Sequence, residues 1–336
     1  KNFNKIQSYT LYEKGLKKMK KKYLVTGGAG FIGSNLIEKI ISQGDEVVVG
    51  RHLPAECKED ANNLKDNITF YQADVTDYEF MEQLLIKEKF DYIVLLAAVI
   101  SISGTIAEPL STHFINQEAI LYIYEIIRKN KLKVEKVLFT SSSAVYGNIA
   151  DTPRREDMPV SLENPYAIDK FASERYAMFY EKVYGIPTVA VRFFNVYGPR
   201  QKAQGKSAGV CAIILDCLLN DKEFKLNGDG KQTRDYMYVT DAVDATLMLL
   251  KNPKISGEIF NVASGKSVSL IDLIAAFEKI TGKKLKIIHN KGLKFDTKNS
   301  LADITKLKKT GFLPKYTFES GLRQYVKEEK RRLGYN

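Results

Sequence analysis

Apolar residues follow two rhythms along this chain. Short runs of strand length, "KKYLVTG", "DEVVVG", "NITFYQAD", "FDYIVLLAA" and "VEKVLFTSSS", alternate with stretches in which apolar residues recur every three or four positions. In "FIGSNLIEKIISQG" the residues Ile32, Leu36, Ile37, Ile40 and Ile41 share one helical face, and the pattern stops at Gly44. "YEFMEQLLIKEK" and "FINQEAILYIYEIIRKN" repeat that period. Strands this apolar, separated by helices, predict an α/β fold: a Rossmann-like, doubly wound parallel sheet with helices on both faces. After "GIPTVAVRFFNVYGP" the pattern loosens into longer Gly-, Asp- and Lys-containing loops around "AGVCAIILDCLL", "YVTDAVDATLMLL" and "LIDLIAAFEKI". This part predicts a smaller, mixed α/β lobe.

The first strand and helix are joined by "GGAGFIG". Gly27, Gly30 and Gly33 form G-x-x-G-x-x-G, in which the first glycine permits a tight turn, the second lets a pyrophosphate approach the backbone, and the third lets helix and sheet pack closely. Strand, glycine turn and helix in this order predict a dinucleotide site, with Phe31 and Ile32 in the turn and Ala97 after the fourth run among its contacts. A carboxylate at the end of the second strand would bond the ribose 2′-hydroxyl of NAD. The chain instead reads Gly50-Arg51-His52, and the Arg51 guanidinium suits a 2′-phosphate, so the cofactor is read as NAD(P), leaning to NADP. Asp74 and Val75, after the third strand, are placed to line the adenine pocket; Asp74 also reads as a helix cap.

Tyr166 and Lys170 lie four residues apart in the helical stretch "NPYAIDKFASERYAMFY", so their side chains share a face one turn apart. An ammonium beside a phenol favours the phenolate, and an oxidised nicotinamide would add to the effect. A phenol whose ordinary pKa is about 10 then becomes a base near neutral pH.

Charge changes the picture little. The net charge is +11, but residues 1–22 hold eight lysines against one glutamate, leaving +4 on the rest. No arginine-rich stripe with interleaved aromatics marks nucleic-acid binding, and no apolar run has the length to cross a bilayer. Cys57, Cys211 and Cys217 imply no disulfide framework and fit a reducing cytosol, and His52, His113 and His289 are too scattered for a metal site. The first 18 residues carry no apolar h-region and read as an extension before a start at Met19. The division expected is an extension over 1–20, a dinucleotide-binding domain over 21–194, and a mainly substrate-binding domain over 195–336.

The motifs "TGGAGFIG", "TSSSAVYG", "NPYAIDK", "RFFNVYGPRQ", "GDGKQTRDYMYVTD", "FNVASG" and "SLADITK", in this order, resemble the extended short-chain dehydrogenases/reductases acting on nucleotide sugars, above all the UDP-glucose/UDP-N-acetylglucosamine 4-epimerases. The resemblance covers residues 21 to about 325. It implies Tyr166 as acid/base, Lys170 as the residue that lowers its pKa and holds the nicotinamide ribose, and Ser142 as the serine bonding the sugar's 4-oxygen. It further implies Asn116 near the cofactor, and Asn195, Arg200 and Arg234 on the nucleotide diphosphate. It also implies a homodimer through a four-helix bundle formed by the helix near 110–130 and the one carrying Tyr166.

Departures from the family pattern bear on the reaction. Ser143-Ala144 stand where dehydratases carry Asp-Glu and decarboxylases Glu, which removes the usual acid and base of dehydration. Leu95 replaces a histidine, without an evident meaning in the sequence. The arginine expected shortly before Asp296 is missing, which leaves Lys291 or Lys294 as the phosphate cation. Ser300 stands where bulky residues in some epimerases exclude N-acetyl groups, implying room for an N-acetylhexosamine. The leading expectation is a nucleotide-sugar 4-epimerase. The alternatives are an NADPH-dependent 4-ketoreductase of a 4-keto-deoxysugar, a 4,6-dehydratase, and a non-catalytic nucleotide-binding protein.

Overall fold

The computed structural model describes residues 20–51, 68–72, 74–149, 152–205, 207–292 and 298–335. Its strands are β1 Lys22–Thr26, β2 Glu46–Arg51, β3 Thr69–Gln72, β4 Tyr92–Leu95, β5 Lys136–Ser142, β6 Thr188–Phe193, β7 Asn195–Tyr197, β8 Glu223–Asn227, β9 Thr233–Tyr238, β10 Glu258–Val262, β11 Ser267–Ser269 and β12 Lys286–Asn290. The helices are α1 Phe31–Ser42, α2 Tyr78–Glu88, α3 Ile102–Ala107, α4 Pro109–His113, α5 Ala119–Lys129, α6 Pro165–Tyr184, α7 Val210–Leu219, α8 Val239–Lys251, α9 Leu270–Thr281, α10 Thr305–Lys309 and α11 Phe318–Arg332.

Among the described residues seven strands form one parallel sheet in the order β10-β6-β5-β4-β1-β2-β3. Burial explains why these segments are near-continuous apolar runs. Tyr23 and Val25 of β1 pack into the core on one face and Leu24 into the core on the other; Leu138 and its neighbours Val137 and Phe139 divide in the same way. Successive side chains point to opposite faces, and both faces are covered by helices. Chain order reverses between β1 and β4, and that crevice, at the carboxyl ends of the strands, is where this architecture binds ligands.

The second lobe grows from the first. A three-stranded sheet, β11-β9-β7, and a pair, β12-β8, are built from residues after 194, and their apolar side chains Tyr197, Leu215, Phe277 and Tyr325 belong to the same core cluster as Tyr23 and Val25. The chain also returns to the large sheet: β10 pairs with β6 at its edge, and α8 packs on it. The expected boundary at 194/195 is therefore a change of emphasis along the chain rather than a separation of cores.

A buried ion pair pins α6 to the large sheet. Arg192 of β6 and Glu174 of α6 have side chains 2% and 0% exposed, with bonds of 2.8 and 2.7 Å from Nε and Nη2. Burial works against the Arg192 charge, but the Glu174 carboxylate outweighs it and the guanidinium pKa is raised. Arg192 also donates to the Tyr146 hydroxyl (2.9 Å), which donates to Asn261 of β10 (2.7 Å). Truncating one partner strands a buried charge, so Glu174→Ala is expected to lower stability by about 3–5 kcal/mol. Urea unfolding measures it; a loss under about 1 kcal/mol would show that the pair does not pin α6 to the sheet.

Candidate active site

The glycine turn follows directly from β1. Gly27 has φ +69°, in the left-handed region, and a Cβ there would come within 2.9 Å of the Ala97 nitrogen. A Cβ on Gly33 would stand 2.5 Å from the Gly27 carbonyl oxygen, so the first turn of α1 can lie against the end of β1 only as glycine. Gly30 caps α1 with no side-chain bond, and the helix has no acidic residue in its first turn. Backbone N–H groups at that end are thus presented to the crevice with the positive end of the helix dipole, a fit for a pyrophosphate. Phe31 and Ile32 open the helix and pack on the core. Thr26 secures the opposite wall: its Oγ1 accepts from the N–H groups of Leu96 (3.1 Å) and Ala97 (3.2 Å). Its place in "VTGG" was the signal for it in the sequence.

Asp74 caps its own loop, accepting from Thr76 N–H at 2.9 Å, and Val75 is buried. Arg51 ends β2 opposite Gln72; its side chain lies outside the described residues. Asn116 is fully buried in a π-helical turn, Phe114–Glu118, and its amide spans the backbone of Val99, donating at 3.1 Å and accepting at 2.7 Å. Ser173 of α6 donates to its carbonyl at 3.0 Å. Asn116 thus shapes the loop after β4. Leu95, the departure from the family pattern, is a fully buried member of one core cluster, with its carbonyl accepting from Thr140 Oγ1 at 2.7 Å.

Helix α6 begins where "NP" places it. Asn164 accepts from Ala167 N–H at 2.9 Å, with Pro165 at the first position, so Tyr166 stands in the first turn with Lys170 one turn on. Ser142, which ends β5, lies by the Tyr166 hydroxyl and works to lower its pKa, and its Oγ accepts from Ala144 N–H at 3.1 Å. Lys170, 3% exposed, donates to the Thr140 carbonyl at 2.8 Å. The structure therefore gathers Ser142, Tyr166 and Lys170 at the carboxyl end of β5. One expectation is corrected here. The protein alone raises the Tyr166 pKa, because burial outweighs the Ser142 hydrogen bond. One donor of the Lys170 ammonium goes to Thr140, and burial pushes the lysine's own pKa down to about 8 against the opposing charge of Asp169.

In the second lobe Asn195 donates to the Asp235 carbonyl at 3.5 Å, and Arg234 donates to the Thr233 carbonyl at 2.8 Å. Ser300, 3% exposed, donates its N–H to the same carbonyl at 3.1 Å, so these positions share one corner. Arg200 turns elsewhere: its guanidinium bonds Asn35 (2.6 Å) and Glu38 (2.9 Å), clamping the loop after β7 to α1. Lys291 is exposed beyond β12, and Lys294 and Asp296 lie outside the described residues.

With this geometry in place, the comparisons are direct. A family model, the NAD dependent epimerase/dehydratase family, matches residues 23–263. The chain belongs to this family. As an epimerase/dehydratase family member it is 37% identical to a UDP-glucose 4-epimerase of Mycolicibacterium smegmatis over 77% of its length and 82% of the relative's. The structure of a UDP-glucose 4-epimerase from Thermotoga maritima with UDP-glucose aligns with TM-score 0.87 at 34% identity, covering 93% of this chain and 99% of that one. A UDP-N-acetylglucosamine 4-epimerase from Methanobrevibacter ruminantium, in complex with UDP-N-acetylmuramic acid, aligns with TM-score 0.85 at 33% identity over 93% and 99%. Among the described residues of this family member no helix is long and apolar enough to cross a membrane.

The buried lysine generates a pH prediction. Its pKa is depressed in the fold, from 10.5 to about 8, so its charge costs stability below about pH 8, and the cost fades as pH rises towards 10.5. Lys170→Met is expected to be about 2 kcal/mol more stable at pH 7, with the gap closing between pH 8 and 10.5 in urea titrations, yet to lose at least about a hundredfold in turnover. A variant that is both less stable at pH 7 and fully active would refute the assignment.

Proposed function

We propose that this chain is a nucleotide-sugar 4-epimerase, acting on a UDP-linked hexose or N-acetylhexosamine through transient oxidation at C4. The observation that carries the reading is the meeting of Ser142, at the end of β5, with Tyr166 and with Lys170 one turn further on, at the carboxyl ends of the strands, the same edge of the sheet as the glycine turn. Relatives that carry out 4-epimerisation of UDP-sugars support it.

Gly27, Gly30, Gly33 and the first turn of α1 would hold the pyrophosphate of a nicotinamide dinucleotide, and Lys170 its ribose. When bound, that group supplies the acceptor and donor of hydride and a positive charge near Tyr166. The charge matters because burial holds the phenol up, and a phenolate in the first turn of α6 needs a cation in addition to the helix dipole. Tyr166 then takes the 4-hydroxyl proton while Ser142 holds the 4-oxygen. After the ketone turns over, Tyr166 returns the proton to the other face. Asn195 and Arg234 would hold the diphosphate. Ser300 leaves room beside the ring for an N-acetyl group. The purified protein with UDP-glucose or UDP-N-acetylglucosamine and no added cofactor is expected to give the 4-epimer by NMR, and Tyr166→Phe to slow it about 10²–10⁴-fold. No epimer, with NADPH consumed on a 4-keto sugar, would favour the second reading, a 4-ketoreductase. Arg51 is the residue that motivates that reading and the lean to NADP: Arg51→Ala is expected to weaken NADP about tenfold and spare NAD.

The protein is further proposed to be a homodimer. Ile106, Leu110 and Phe114 on one side and Ile168, Phe179 and Val183 of α6 on the other are 40–69% exposed, on helices that pack together. An apolar patch of this kind fits a four-helix bundle between copies. Leu110→Glu is expected to shift sedimentation from dimer to monomer; a wild-type monomer overturns the assignment.

A further inference from the structure

Two guanidiniums lie over the Tyr146 ring, and among the described residues only that of Arg192 has a carboxylate within ion-pair distance. Arg192, 4.8 Å from the ring centroid, has Glu174. Arg154, 5.7 Å from the same centroid and 2% exposed, has no carboxylate within ion-pair distance among the described residues. Its Nη2 donates to the carbonyls of Gly147 (2.7 Å) and Asn299 (3.0 Å). Nε is buried without an acceptor, and among the described residues Nη1 makes no hydrogen bond. Glu163, the acid beyond Gly147, is engaged by the N–H and amide of Asn148, both at 2.8 Å. Burial works against the Arg154 charge and outweighs the favourable Tyr146 phenol, while Arg234 nearby opposes the charge and the Glu163 carboxylate, beyond ion-pair distance, offsets it only in part. A buried cation held by two carbonyls and a ring, with no carboxylate in contact, is costly, and an anion arriving with a ligand would offset that cost.

Position says which ligand. Arg154 N–H donates to the Leu301 carbonyl at 2.8 Å, and Arg154 bridges Ala302, so its head group joins the turn that follows Ser142 to the segment that carries Ser300. Those are the two walls of the proposed sugar subsite, and the family's second diphosphate arginine is missing from the stretch before Asp296. We propose that Arg154 is a specificity-determining residue that pairs with an anionic oxygen of the bound nucleotide sugar, either a carboxylate on the sugar ring or the diphosphate. This rests on the nucleotide-sugar reading of the site. A guanidinium suits the task because it stays charged when buried and offers several fixed donors.

Calorimetric titration of wild type and Arg154→Met with UDP-glucose, UDP-glucuronate and uridine tests it. Arg154→Met is expected to weaken the anionic partner about tenfold or more. A loss confined to UDP-glucuronate assigns the ring carboxylate. An equal loss for both sugar nucleotides, with uridine unchanged, assigns the diphosphate. Unchanged binding of all three, or an equal loss that includes uridine, overturns the proposal and leaves Arg154 a bracing residue. Should the Met variant not fold, Arg154→Gln, which keeps a donor for the Gly147 carbonyl, carries the same comparison. The readout is binding, so a protein that binds these ligands without epimerising them sinks the epimerase reading and not this one.

Discussion

The structure depends on how closely the β1–α1 turn approaches the end of β4. Gly27 has no room for a side chain against Ala97, and Gly33 has none against Gly27. That contact brings the N-terminus of α1 to the point where strand order reverses and leaves the unpaired N–H groups of its first turn facing the crevice. Thr26 fixes the far wall by holding two successive N–H groups after β4. A methyl group at Gly33 would push helix from strand, and the anion cradle would open with it.

Around this crevice the protein carries charge in places that burial makes expensive. Lys170 is held by a carbonyl, Arg192 by a carboxylate and a phenol, and Arg154 by two carbonyls and a ring. The three differ in how fully they are compensated. Arg192 is matched and braces α6 against the sheet. Lys170 pays part of its desolvation as a lowered pKa. Arg154 has a buried donor without an acceptor, which the proposed pairing with an anionic ligand would use. A site whose cations are underpaired in the protein alone gains from an anionic ligand what it forgoes in stability.

The Tyr166 phenol shows the same economy. Helix start, serine and lysine are all placed for a phenolate, yet burial keeps the phenol protonated in the protein by itself. In the proposed reaction the positive charge of an oxidised nicotinamide would complete the base, which would tie proton removal to the presence of a hydride acceptor.

The sequence by itself determined the sheet and its helices, the glycine turn, and the Tyr166–Lys170 face, because each rests on local spacing: period two or 3.6, a strand–turn–helix order, and four residues along a helix. The start of α6 was legible in "NP" for the same reason. Only the tertiary structure decided which way buried polar side chains turn. Arg200 went to α1, Leu95 to the core, Lys170 to Thr140, and Arg154 to the carbonyls of Gly147 and Asn299, the latter 145 residues away. No local pattern encodes these partners, since a buried donor takes whichever acceptor the fold brings within 3 Å, and distant segments supply it.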